Sequence, residues 1–254
     1  VWMFANSLKA NLEIWTPPAG MLPRKPNPQT YAELFRKTTA GGSYLQWLWN
    51  SLLVTVPVTV LSIAVSSIAA YAVARFRFLG RRMFVHTILI GQMLPAALLV
   101  IPLYTLMRSF GLFDTLPGLT VVYLTFSVPF CVWMLVGFFA SIPIELEEAA
   151  MLDGCSQMQA FGRVVLPLAV PGISATALYA WLLAWDEFLL ARTLLPTLSK
   201  WTLNLGLQSY ITEQTISWNL AMAGGLLMTI PSLIVYLLLQ RYLITGLTGG
   251  AVKG

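Results

Sequence analysis

The sequence predicts an all-α, polytopic helical membrane protein, and three observations carry that expectation. Only 10% of the 254 residues are charged and 57% are hydrophobic, whereas an ordinary soluble domain is about 25% charged. Mean hydropathy is +0.75, and several apolar runs exceed the ~18–20 residues that a helix needs to cross the hydrocarbon core. Glycines and prolines are spaced along the chain and short alternating segments are lacking, which argues against an outer-membrane barrel. The net charge of +5 is accounted for by basic residues at membrane-facing ends. A lipid bilayer is therefore the expected surrounding, and no nucleic-acid partner is expected. Of the two cysteines, Cys131 lies in an apolar run and Cys155 in a polar segment, so a disulfide framework is not expected.

The chain opens on Val1-Trp-Met-Phe-Ala, which reads as the tail of an apolar segment. A first span, largely absent from this chain, is therefore expected upstream. Residues 6–47 are polar and carry Pro17, Pro18, Pro23, Pro26 and Pro28, which break regular helix. An extended extracytoplasmic loop is expected there, ending in a short amphipathic helix around Tyr31-Ala-Glu-Leu-Phe35. Residues 1–47 thus form the end of a span plus a loop, and residues 48–254 form the membrane domain.

The first complete span is expected at about residues 48–74. It ends in Arg75-Phe-Arg77-Phe-Leu-Gly-Arg81-Arg82, and a short arginine-rich loop marks the cytoplasmic side. Further spans are expected at about 83–107, 116–140, 171–195 and 218–242, with Pro95, Pro102, Pro129 and Pro231 inside them. Such prolines mark kinks or helices bent around a pathway. Alternation places segment 141–170 and the C-terminus in the cytoplasm, and loops 6–47, 108–117 and 196–217 outside.

Segment 141–170 is a polar island between two apolar runs. Glu145, Glu147, Glu148 and Asp153 are four of the ten acidic residues in the chain. Ser141 is expected as N-cap, with Pro143 in the first turn and the glutamates at the positive end of the helix dipole. Ala149 and Ala150 keep this helix slim, and Gly154 ends it in a left-handed conformation. A second short helix follows, with Ala160, Phe161 and Val164 at helical spacing, until Leu166-Pro167 turns the chain back to the bilayer. The pattern alone fits a docking surface and a merely solvated loop equally well.

Glu148-Ala-Ala, three residues, Gly154, nine residues, Val164, one residue, Leu166-Pro167 resembles the signature of permease subunits of binding-protein-dependent ABC importers. Tyr71-Ala-Val-Ala-Arg75-Phe, Ile101-Pro-Leu-Tyr104, Gly111-Leu-Phe-Asp114-Thr and the closing Gly246-Leu-Thr…Val252-Lys-Gly254 resemble the carbohydrate branch. Within that branch they are similar to the subunit type of the second maltose permease. The resemblance implies a type I importer fold with six spans in the cell membrane. It also implies a heterodimer with a homologous permease, two ATPase subunits beneath it, and an extracytoplasmic sugar-binding protein outside. This chain would be no enzyme and would bind no cofactor, since ATP and Mg would sit on the partner ATPase. Glu148, Ala149, Ala150, Asp153, Gly154, Leu166 and Pro167 would belong to the ATPase-coupling loop. Lys253, in the tail, would be a further ATPase contact. Phe161 is a further candidate for packing against that partner.

Polar groups inside spans are functional candidates by default, because lipid disfavours them. Asp186 and Glu187 lie far along the fourth span, and Gln92, Tyr123 and Ser127 suit hydroxyl-rich cargo; all five are candidate pathway residues. Interhelical hydrogen bonding is the competing explanation for the uncharged ones. His86 reads as structural, and no Cys, His and carboxylate spacing suggests a metal site. The sequence contains no G-x-x-x-x-G-K-[ST] and no G-x-S-x-G, so no phosphate loop or serine nucleophile of those types is expected. A stand-alone ion-coupled transporter using Asp186 and Glu187, or an intramembrane enzyme adding His86, remain as alternatives. Neither gives the Glu148–Pro167 segment a role.

Overall fold

A computed structural model describes residues 1–15, 20–36, 42–211 and 216–251, with the side chains of 82, 89 and 244–251 left aside. Lys253 lies outside the described residues. Among the described residues the chain is helical, with one isolated bridge between Ile211 and Ile216 in place of any sheet. In chain order, the first elements are α1 (Trp2–Ser7), α2 (Asn11–Trp15), α3 (Gln29–Arg36) and α4 (Tyr44–Arg75). Next come α5 (Arg81–Gln92), α6 (Ala96–Ser109), α7 (Leu116–Ser141), α8 (Glu145–Leu152) and α9 (Gln157–Ala160). After a π turn at Phe161–Val165 follow α10 (Leu166–Leu168), α11 (Val170–Asp186) and α12 (Leu189–Leu194). A 3-10 turn (Leu198–Lys200), α13 (Leu203–Gln208) and α14 (Trp218–Ala251) complete the chain.

Three helices are long and apolar enough to span a membrane: α4, α7 and α14 over Trp218–Leu243. Two bent pairs, Met83–Gln92 with Ala96–Ser109 and Gln157–Leu168 with Val170–Asp186, raise the number to as many as five if each pair is one span. The second pair starts at Gln157, inside the polar island, whereas the sequence places the fourth span at 171–195. The second span is divided into α5 and α6 at residues 93–95, where Pro95 cannot donate a backbone bond. The fourth stops at Asp186 and resumes as α12. Pro57, inside α4, is a further intrahelical proline that the sequence reading did not weigh. The span windows are only 11–39% buried within the chain. Their outward apolar surface far exceeds what water tolerates, so lipid or further protein must cover it.

The chain divides into two compact units: Val1–Thr55, Val100–Thr120 and Trp185–Ile234 form the first, and Val56–Leu99, Val121–Ala184 and Val235–Gly254 the second. In the first unit Trp47 is fully buried and touches the rings of Trp201 and Tyr210. A Cβ on Gly206 would lie 2.2 Å from the Trp47 indole, so only glycine permits this approach. Polar groups fasten the returning loops. The Asn50 amide donates to the carbonyls of Ser199 (2.8 Å) and Trp201 (2.9 Å), and Leu203 N–H donates to Ser51 Oγ at 2.7 Å. Asn11 bonds the Ile216 carbonyl and the Trp218 N–H, tying α2 to the start of α14.

Asp114, at φ 56°, forms the anchor of the loop between α6 and α7. Its carboxylate accepts from Thr197 N, Thr197 Oγ1 and Lys200 Nζ. Burial alone would raise its pKa, but the hydrogen bonds from Lys200 and Thr197 outweigh that and hold it below the ordinary carboxylate value.

The second unit has a core of Ala70, Tyr71, Val132, Leu135, Phe139, Ile142, Phe161, Val165 and Ala169. Side-chain bonds between Ser62 and Ser127 (2.9 Å), and from Ser66 to the Val128 carbonyl (3.1 Å), join α4 to α7. Gly172 lets α11 approach α7, since a Cβ there would lie 2.2 Å from the Phe138 ring. The polar island belongs to this unit.

Candidate functional site: the polar helix pair

The island folds as two helical arms around a glycine turn. The first arm is α8, with Glu145, Glu147 and Glu148 in its first turn, where carboxylates meet the positive end of the helix dipole. Ser141 does not cap it: Ser141 is the last residue of α7 and its hydroxyl donates to the Phe138 carbonyl at 2.7 Å. Pro143 precedes α8, whose N-cap position is held by Ile144 without a side-chain cap bond. The apolar helix runs one residue further than expected and absorbs the serine.

α8 ends as the sequence predicts. Gly154 has φ 92°, its N–H donates to the Met151 carbonyl (3.1 Å), and Cys155 N–H donates to the Ala150 carbonyl (3.0 Å). This is a Schellman motif, in which two orphan carbonyls are satisfied by a left-handed residue. Ser156 then opens the second arm with a reciprocal capping box: its Oγ accepts from Gln159 N–H, and Gln159 Oε1 accepts from Ser156 N–H at 2.8 Å. The intervening chain is therefore held at both ends by backbone chemistry, which makes the turn well defined.

The second arm continues beyond the expected short helix, through the π turn Phe161–Val165 to Leu168. Pro167 has no N–H for the Arg163 carbonyl, and the widened turn lies just before it. The chain then bends by 77° between Gln157–Leu168 and Val170–Asp186. The reversal thus falls at Ala169, two residues after Pro167.

The neighbouring glutamates of α8 differ in environment. Glu148 is exposed, as are Ala149, Asp153 and Gly154, while Ala150 is half-buried. Glu147 is only 3% exposed. Its carboxylate accepts from Tyr71 Oη at 2.8 Å and forms an ion pair with Arg75 Nε. The remaining reach of Arg75 goes to the Ile142 carbonyl, 2.9 Å from Nη2. Sequence reasoning missed Glu147, Tyr71 and Arg75 as a set. The available signals were Tyr71 and Arg75 at i, i+4 on one helix face and a glutamate pair on a slim helix.

Phe161 is corrected by the structure. It is 6% exposed, with its ring 4.4 Å from that of Tyr71 and 6.0 Å from that of Phe139. The ring fills the core of its own unit, leaving no face for a partner. Leu166 is half-buried against that core, and Pro167 is exposed.

The pathway candidates separate into two sets. Gln92, Tyr123 and Ser127 belong to the second unit. The Gln92 amide donates to the Phe126 carbonyl at 3.0 Å, Tyr123 is fully buried, and Ser127 is fully buried and bonded to Ser62. Asp186 and Glu187 belong to the first unit. Asp186 is exposed and ends α11. Both oxygens of Glu187 accept from the N–H groups of Leu190 and Ala191 at the start of α12, a helix-capping role at the break. Among the described residues no group of three or more His, Cys, Asp or Glu is placed to hold a metal ion.

Comparisons with known proteins give this geometry a family. Residues 43–249 match the family described as "Binding-protein-dependent transport system inner membrane component". The chain is 37% identical to the permease protein of the diacetylchitobiose uptake system of Streptomyces coelicolor, over 100% of this chain and 90% of that protein. It is 35% identical to the trehalose transport system permease of Mycobacterium tuberculosis, over 100% of this chain and 91% of that protein. With the maltose/maltodextrin permease of Vibrio vulnificus the identity is 38%, over 87% of this chain and 78% of that protein. In fold it resembles a chain of a bacterial ABC transporter importing the acidic polysaccharide alginate, with a TM-score of 0.81 and 24% identity over 95% of this chain and 89% of that one. On the match across most of its length, and on relatives sharing over a third of its residues end to end, the chain belongs to the inner-membrane components of binding-protein-dependent transport systems.

Proposed function

We propose that this chain is the membrane-spanning subunit of an ATP-driven carbohydrate importer, and that α8 and the Gly154 turn are its docking surface for an ATPase subunit. The observation that carries the reading is the outward face of α8. Glu148 and Ala149 stand exposed beside a rigid left-handed turn, while Glu147, about 100° away around the same helix, is locked into the unit. A small alanine admits close approach, and a glutamate beside it offers one charge to a basic partner. Relatives carrying diacetylchitobiose, trehalose and maltose in their names support a carbohydrate cargo.

In this reading a homologous permease completes the pathway, and a sugar-binding protein delivers cargo from the extracytoplasmic side. ATP and Mg are bound by the ATPase and not by this chain. Segment 141–170, the arginine loop and the C-terminus lie in the cytoplasm, consistent with the four arginines at 75, 77, 81 and 82. Gln92, Tyr123, Ser127, Asp186 and Glu187 remain pathway candidates, with Asp186 the most accessible of them.

The test is Glu148→Lys in the assembled transporter, with its partner permease, ATPase and cognate binding protein. The heterodimer is expected to form while the ATPase dissociates on purification and stimulation of ATP hydrolysis by the binding protein is lost. Retention of both ATPase and stimulation would refute the docking role. Transport by this chain alone would instead favour the ion-coupled alternative.

A further inference from the structure

Glu147, Arg75 and Tyr71 form a joint among three elements of the second unit. Arg75 closes α4, and Tyr71 lies one turn earlier on the same helix. Arg75 reaches the Glu147 carboxylate on α8 through Nε and the Ile142 carbonyl just beyond α7 through Nη2. Tyr71 donates to the other Glu147 oxygen, and its ring packs on Phe161 of the second arm and on Phe139 of α7. The side chains of Arg75 and Glu147 are 8% and 4% exposed, so solvent screens the pair weakly.

From this geometry we infer that the Arg75–Glu147–Tyr71 joint is the element that positions α8 against the ends of α4 and α7, so that displacement of α8 moves both spans together. The inference rests on the docking role proposed above and divides labour between adjacent residues. Glu148 meets the partner, and Glu147 transmits the movement inward. Neighbouring helix positions point about 100° apart, which lets one short helix serve both faces. A displacement applied to α8 would be lost in local flexing if α8 were held only by its connecting loops. The buried ion pair from Arg75 and the hydrogen bond from Tyr71 hold α8 directly, while the Arg75 bond to Ile142 and the Tyr71 ring contacts with Phe161 and Phe139 fix those two side chains in the unit. Glu147 is a positioning residue in this scheme and touches no cargo.

The test uses the complete transporter, with its partner permease, ATPase subunits and the cognate binding protein purified with its cargo. Glu147→Gln and Arg75→Ala should retain the ATPase on co-purification yet lose at least about tenfold of the stimulation by the binding protein. The double exchange Arg75→Glu with Glu147→Arg should restore part of it, which a loss of folding would not permit. Tyr71→Phe, which keeps the ring contacts, should fall between wild type and Glu147→Gln. Stimulation within twofold of wild type in both single variants would overturn the inference. So would loss of the ATPase from the singles without recovery in the double exchange, since the pair would then serve only folding. Glu148→Lys separates the two claims. If it retains ATPase and stimulation, the docking role fails whatever the joint variants do. If it fails to dock while joint variants stimulate normally, only the joint is refuted.

Discussion

Substituting Gly154 isolates what the left-handed turn contributes. Its φ is 92°, and a Cβ added there would meet no atom within 4 Å. The cost of Gly154→Ala is therefore conformational and involves no clash, and a left-handed residue with a side chain costs about 1–2 kcal/mol. Gly154→Asn should cost less, because asparagine visits that region more readily. Gly154→Pro is more severe. Proline fixes φ near −65° and has no N–H, so the bond to the Met151 carbonyl (3.1 Å) is lost and the turn cannot form. If the ATPase binds only the intact turn, the conformational cost appears directly as a weaker apparent affinity. A loss of 1–2 kcal/mol corresponds to about 5–30-fold in Kd. The assay is titration of labelled ATPase onto the permease heterodimer in nanodiscs, with thermal unfolding measured in parallel. Affinity should fall in the order Gly, Asn, Ala, Pro, while the unfolding temperature changes little because the turn is exposed. Equal binding by all four, or an affinity loss that simply follows global stability, would refute the reasoning.

Other perturbations have equally definite expectations. Ser156→Ala removes the capping box of the second arm and should cost about 1 kcal/mol locally, read as faster amide exchange in residues 157–160. Gly206→Ala drives a methyl into the Trp47 ring at 2.2 Å; such overpacking costs about 1–3 kcal/mol and should lower the unfolding temperature in detergent. The Asp114 carboxyl is held below its ordinary value by Lys200 and Thr197. A group depressed on folding contributes stability above its unfolded pKa and loses it as pH falls through the folded one. Limited proteolysis of the 195–201 loop should therefore be unchanged from neutral pH to about pH 5 and rise only in stronger acid. Asp114→Asn should show raised cleavage at neutral pH.

Much of the architecture was legible in the sequence because lipid imposes a length rule. A spanning helix needs some 20 apolar residues, and the runs that become α4, α7 and α14 meet that requirement without help from tertiary contacts. The end of α8 was legible for a different local reason. A glycine after a slim helix has few competitors for the left-handed position, and the Schellman bonds at Gly154 follow from that. Helix breaks were less legible. Pro95 and Pro102 both lie in the second expected span, yet α6 continues through Pro102 and the chain breaks at 93–95; a proline can kink a span or end it, and the run of apolar residues does not say which.

The sequence by itself determined the class, the three long spans α4, α7 and α14 and the position of the polar helix pair, since these depend on run length, capping and backbone conformation within a few residues. It could not choose between Glu147 and Glu148, adjacent residues of one type with the same helix propensity. That choice belongs to Arg75 and Tyr71, more than seventy positions earlier in the chain, whose burial beside Ile142 and Phe139 makes one glutamate an internal anchor. The same packing took Phe161 inward and left Glu148 facing outward. Local chemistry can specify a helix and its end. Which face turns inward is fixed only when distant helices supply the apolar surface and the counter-charge that make burial favourable.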